Sequence, residues 1–165
     1  MRPGMLTLTD LRAHAETGAI DTVLVATADV HGRLQGKRCA VRYFLDEVLE
    51  HATGVGEHLL AAAVEPATLD GALISSLDLG YDDFVLRPAI ETLRITPWHP
   101  GTALVLCDVE QDHASADRSP RNVLRRQLDR LANLGMCAEI GTELEFLVFD
   151  DTYDAAWHAG YRGLT

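Results

Sequence analysis

Basic side chains, cysteines and aromatic rings are all scarce in this chain, and no apolar run is long. Fourteen Lys and Arg stand against twenty-five Asp and Glu in 165 residues, a net charge of −11. That shortage argues against nucleic acid or an anionic membrane as a partner, since both are held by basic patches. Cys39, Cys107 and Cys137 are the only cysteines. No Cys-x-x-Cys or Cys/His spacing suggests zinc, and an odd count argues against a disulfide framework. All three lie in apolar segments, where buried free thiols are expected, and a reducing cytoplasm fits best. No segment could span a bilayer, and the first residues hold no signal-peptide core, so a cytoplasmic chain without a membrane partner is expected.

Several catalytic signatures are missing as well. There is no Gly-x-Ser-x-Gly, no His-Glu-x-x-His and no Cys/His nucleophile pairing, which leaves nucleophilic hydrolysis without support. Gly32–Lys37 falls one residue short of a phosphate loop, and no Ser or Thr follows Lys37. A strand follows rather than a helix, so a hairpin turn is the better reading. The seven histidines are dispersed. His31, His51, His58 and His113 read as surface residues, and His99 reads as part of a rigid corner.

What is present is an ordinary globular composition, 47% hydrophobic and 24% charged. The length suits one well-buried domain, or one domain and part of another. Residues 9–18 read as a short helix, with Thr7 or Thr9 as N-cap and Gly18 as stop. Residues 20–28 read as a strand, 29–36 as a reversal and 37–44 as the returning strand of a hairpin. A short helix is expected over 45–52, with Asp46 and Glu47 in its first turn. Residues 59–64 read as strand or strand entry. Residues 66–90 hold Asp78, Asp82 and Asp83 without periodicity, the pattern of a long functional loop. Strands are expected over 90–95 and 102–109, separated by the corner 97–101. Residues 111–117 mark a boundary. Ser119 and Pro120 open a helix that Gly135 ends, with an apolar stripe of Val123, Leu124, Leu128, Leu131 and Leu134. Arg121, Arg125, Arg126 and Arg130 are expected to form its solvated face. A last helix is expected over 151–160. The fold class is α+β.

Residues 140–149, Ile-Gly-Thr-Glu-Leu-Glu-Phe-Leu-Val-Phe, read as a strand. Glu143 and Glu145 would leave one face and Leu144, Phe146 and Val148 the other. Two like charges among apolar neighbours resist ionisation, and a hard divalent cation relieves both penalties. The pair is therefore a candidate metal site. A strand whose Glu face is simply wet satisfies the same spacing.

Five motifs stand in order: Asp29…Gly32-Arg…Gly36-Lys-Arg, Gly80-Tyr-Asp-Asp-Phe…Pro88, Thr92-Leu-Arg…Pro97-Trp98…Gly101-Thr-Ala, Ser119-Pro-Arg…Leu-Arg-Arg-Gln-Leu and Gly141-Thr-Glu-Leu-Glu-Phe. Together they resemble the N-terminal portion of the glutamine synthetase family. The likeness is closer to the glutamine-synthetase-like enzymes that join glutamate to ethanolamine or polyamines. The resemblance implies a β-grasp domain over 1–112 and the incomplete start of a catalytic domain over 113–165. It implies ATP as co-substrate, Mg²⁺ or Mn²⁺ as cofactor, and glutamate and an amine as substrates. Glu143 would bind the nucleotide-side metal and Glu145 the glutamate-side metal. It further implies a homo-oligomer of stacked hexameric rings with sites between subunits, each completed by a loop within residues 66–84. Asp70 in that loop is the nearest match to the family's ammonium-binding Asp, although a turn-forming Asp before Gly71 reads equally well. Leu77, Asp82 and Ala89 depart from the family pattern in or beside this loop. The family's other metal and phosphate ligands lie beyond Thr165, so the 165 residues alone are expected to lack ligase activity. The alternatives are a glutamine synthetase using ammonium and a non-catalytic assembly or regulatory module.

Overall fold

The computed structural model describes residues 4–56, 83–111, 114–115 and 119–165. Its framework is a seven-stranded mixed sheet in which β1 Thr22–Ala28, β2 Leu34–Ala40, β3 Thr53–Gly56, β4 Asp83–Pro88 and β6 Thr102–Gln111 lie in the order β2-β1-β6-β4-β3, with β5 Arg94–Ile95 and β7 Ala114–Ser115 also paired to β6. The hairpin appears as expected, with β1 Thr22–Ala28 antiparallel to β2 Leu34–Ala40. β1 also runs parallel to β6, Thr102–Gln111, in the register Thr22↔Thr102 to Ala26↔Leu106. A central parallel pair flanked by a hairpin and packed against helices is an α+β arrangement of β-grasp type.

The hairpin turn is built around one carboxylate. Asp29 is buried, and its Oδ1 accepts from the N–H groups of His31 and Arg33, both at 2.9 Å. Its Oδ2 accepts from Arg33 Nε at 2.8 Å and from Gln35 Nε2 at 3.2 Å. Burial alone would push this carboxyl up; the bonds from Arg33, Gln35 and His31 outweigh that and hold it below the ordinary value. Gly32 supplies the positive φ that the reversal needs.

Helix α1, Leu8–Glu16, starts at Thr7 with a capping box. Thr7 Oγ1 accepts from Asp10 N at 3.1 Å, and Asp10 Oδ2 accepts from Thr7 N at 2.8 Å. The stretch after β2 departs from expectation. The strand stops at Ala40, and a helical run follows, with α2 Val41–Tyr43, a π-helical segment Phe44–Val48 and α3 Leu49–His51. Val41, Phe44 and Val48 share one side of it and are buried. Their spacing of three, then four, is helical, and the side-chain burial it permits overrides the strand-like composition of 41–44. Asp46 and Glu47 therefore lie mid-run, not in a first turn.

β3 Thr53–Gly56 pairs with β4 Asp83–Pro88, so the end of the presumed loop 66–90 is a strand. Residues 59–64, Asp70, Leu77 and Asp82 lie outside the described residues. The expected strand over 90–95 is interrupted. Ile90–Thr92 forms a 3₁₀ turn, and only Arg94–Ile95, β5, rejoins β6. In the gap, Thr92 Oγ1 accepts from Leu106 N at 2.9 Å and donates to Ala89 O at 2.7 Å. A side chain thus replaces the missing ladder partner. Ala89 is buried there, so this departure from the family pattern presents nothing to a ligand. The corner before β6 closes on Thr96, which donates through Oγ1 to Thr102 O at 2.7 Å, while Trp98 and His99 stay exposed. β7, Ala114–Ser115, pairs antiparallel with the end of β6 where a plain boundary was expected. The core lies between the sheet and the helices, around Leu11, Val23, Val25, Phe44, Val48, Leu86, Leu93, Val105 and Val109.

Candidate functional site

Helix α4, Pro120–Asn133, leads to the glutamate pair. Ser119 holds the N-cap position, but its hydroxyl makes no capping bond and is buried. The helix docks by its polar side. Asn122 is buried and donates through Nδ2 to Val109 O at 2.8 Å. Asp108, beside it on β6, takes Arg121 Nε on Oδ1 at 2.8 Å and Arg125 on Oδ2. Glu91 lies 3.6 Å and 3.8 Å from the same two guanidinium groups. Arg121 and Arg125 are thus docking residues rather than a solvated face. The stripe expected to be the packing face, Val123, Leu124, Leu128 and Leu134, is exposed.

Gly135 ends α4 in the left-handed region, as expected. Beyond it the expectation of a strand fails: residues 136–149 carry no regular secondary structure. Leu144, Phe146 and Val148 are 91%, 79% and 84% exposed, so no alternation of burial exists. A strand is stable only when a neighbour satisfies its backbone, and no described strand lies beside this one. Glu143 and Glu145 are exposed, and neither has an ion pair with another described residue. Cys137 is exposed too, contrary to the buried thiol expected.

The chain then folds on itself. Asp150 N donates to Thr165 O at 2.7 Å, and Asp151 Oδ2 accepts from Thr165 N at 2.6 Å. α5, Tyr153–His158, is capped by Thr152, which accepts from Ala155 N. Trp157 and Tyr161 meet edge to face at 6.4 Å. Phe146, Val148, Phe149, Tyr153, Ala156 and Tyr161 line an open groove of about 500 Å³.

In chemical terms, the pair offers hard oxygen donors and no competing cation, which fits a divalent ion. Two carboxylates are fewer than the six or more oxygens such an ion takes, and the described residues contain no group of three His, Cys, Asp or Glu that could hold one. Both carboxylates lie on an exposed stretch without regular secondary structure. The docking set Asp108, Asn122, Arg121 and Arg125 was not singled out from sequence. The only signal was the i, i+4 spacing of the two arginines, which reads equally well as a surface.

The chain resembles known proteins across both segments. The family model for the glutamine synthetase catalytic domain matches residues 117–164. Gamma-glutamylethanolamide synthetase of Streptomyces coelicolor is 52% identical over 94% of the chain and 34% of its own length. Glutamate–isopropylamine ligase of a Pseudomonas species is 32% identical over 86% of the chain and 31% of its own length. Among solved structures, an ADP complex of GmaS superposes with a TM-score of 0.56 at 24% identity, over 77% of this chain and 26% of that one. A crystal structure described as a novel glutamine synthase homolog gives 0.59 at 18%, over 70% and 27%. The chain therefore spans about a third of the length of the curated relatives it matches.

Proposed function

The chain belongs to the glutamine synthetase family, and we propose that it forms one part of an ATP-dependent ligase joining the γ-carboxylate of glutamate to a short primary amine. The observation that carries this reading is the 52% identity to a gamma-glutamylethanolamide synthetase over nearly all of the chain. The second relative acts, by its name, on isopropylamine, another small monoamine, which favours a short monoamine over a polyamine.

In this reading a γ-carboxylate oxygen attacks the terminal phosphorus of ATP and ADP leaves. The amine nitrogen then attacks the acyl carbon, phosphate leaves with the bonding pair, and the nitrogen loses a proton to give the amide. Glu143 and Glu145 would hold divalent cations, Mg²⁺ or Mn²⁺, the first on the nucleotide side and the second on the glutamate side. When bound, such ions offset the charge of the transferring phosphoryl group. The chain's own contribution is two carboxylates, two residues apart, on a stretch open to solvent. Asp70 is assigned to the amine side of the site, residues 1–112 to a β-grasp domain and 113–165 to the incomplete start of the catalytic domain. Stacked hexameric rings in the cytoplasm complete the proposal; in keeping with it, no helix among the described residues is long and apolar enough to cross a membrane.

The test is phosphate release from the whole protein with glutamate, ATP and each of ethanolamine, isopropylamine, putrescine, spermine and ammonium. Release with a short monoamine is expected, much lowered and demanding more Mg²⁺ in Glu143→Gln and Glu145→Gln. Release with ammonium alone would replace the amine reading with an ordinary glutamine synthetase.

A further inference from the structure

We propose that Asp108 is a positioning residue whose grip on Arg121 and Arg125 sets where the arm carrying Glu143 and Glu145 leaves the sheet. The proposal rests on the reading of those two glutamates as metal ligands.

Asp108 stands on β6 between Cys107 and Val109, both fully buried, so its backbone is held by the core. Its side chain keeps only 22% of its exposure, and each oxygen meets a different arginine. Arg121 and Arg125 are one helical turn apart. A single carboxylate bridging both fixes the rotation of α4 as well as its distance from β6. Asn122, between them, adds a buried bond to Val109 O, one residue along the same strand. Three side chains from one and a half turns of helix thus read two consecutive residues of β6.

Glu91, 3.6 Å and 3.8 Å from the same two guanidinium groups, adds to this cluster, so polar contacts dominate the docking of the helix among the described residues. The helix's apolar residues Val123, Leu124, Leu128 and Leu134 face outward, so burial of hydrocarbon does not set its orientation. Glu143 follows only ten residues after Asn133, the last residue of α4. A rotation of α4 about its axis would swing that arm, and with it both carboxylates. Phosphoryl transfer tolerates little misplacement, since about 1 Å can cost about a hundredfold in rate.

Two measurements test this, each with Asp108→Asn, which keeps the volume and removes the charge. In the 165-residue chain, amide hydrogen exchange should speed up in α4 while β1 and β6 exchange as in wild type. In the whole protein, the Mg²⁺ concentration for half-maximal activity should rise, and kcat should fall about tenfold or more. Arg125→Lys should retain more activity than Arg125→Ala, and Glu91→Gln, on the exposed rim, should change little. Unchanged α4 exchange would overturn the proposal. So would loosened α4 with an unaltered Mg²⁺ dependence, provided Glu143→Gln and Glu145→Gln do alter it. If those two variants leave Mg²⁺ dependence untouched, the metal reading fails and takes the positioning role with it.

Discussion

Gly36 shows how tightly single residues are constrained in the hairpin. A Cβ there would lie 2.0 Å from the carbonyl oxygen of Val25 and 2.8 Å from Ala26 Cα, both backbone atoms that cannot turn aside. Gly36→Ala should therefore destabilise the chain by more than about 1 kcal/mol, read as a lower urea midpoint at unchanged slope. Asp29 makes a pH-dependent prediction. Its folded carboxyl titrates below the unfolded one, so its bonds contribute fully above about pH 4 and are lost as pH falls through the folded value. Asp29→Asn should cost stability by a constant amount near neutrality, and the gap to wild type should close on acidification. A gap that widens below pH 4 would contradict this. Burial pushes the Cys107 thiol up to about 12 and raises Cys39, whereas Cys137 is exposed. One fast thiol is expected in a native titration with a disulfide reagent, and three after denaturation. The hairpin aspartate and glycines were visible in the sequence as turn formers. That Asp29 is buried and saturated was not, because its donors come from two to six residues away and act only once the turn closes.

Elements were legible where their signals are local. Caps, turn residues and periodicity foretold α1, β1, the hairpin, β6, α4 and α5, because each signal is carried by near neighbours along the chain. They failed where a distant partner decides. Residues 41–44 are rich in strand formers yet are helical, since Val41, Phe44 and Val48 gain more by burial on one helical side. Thr92 breaks an expected strand because its hydroxyl reaches Leu106 and Ala89. α4 presents its polar side to β6, against the rule that the apolar stripe faces the core. Asn122→Ala should therefore weaken docking, by about 1–3 kcal/mol, by leaving the Val109 carbonyl short of a partner. Faster exchange confined to α4 is the expected signature; a uniform loss across β1 and β6 would mean that the helix is part of the core.

At the scale of the whole molecule, the structure joins a well-packed sheet domain to a carboxylate-bearing arm that finds no strand partner among the described residues. Ligase chemistry needs more ligands than the arm supplies. The 165 residues alone should release no phosphate from ATP with glutamate and ethanolamine, and measurable turnover would refute this. The order of five motifs, the acid pair at positions 143 and 145 and the α+β class were all written in the sequence. Each depends on residue identity and short spacing, which do not change on folding. Only the tertiary structure decided which side of α4 meets the sheet, that Asp108 bridges two arginines, and that residues 140–149 lie open without a strand partner. Those outcomes depend on what lies across from a residue in space, and a carboxylate's partner thirteen or seventeen residues away leaves no periodic mark on the chain.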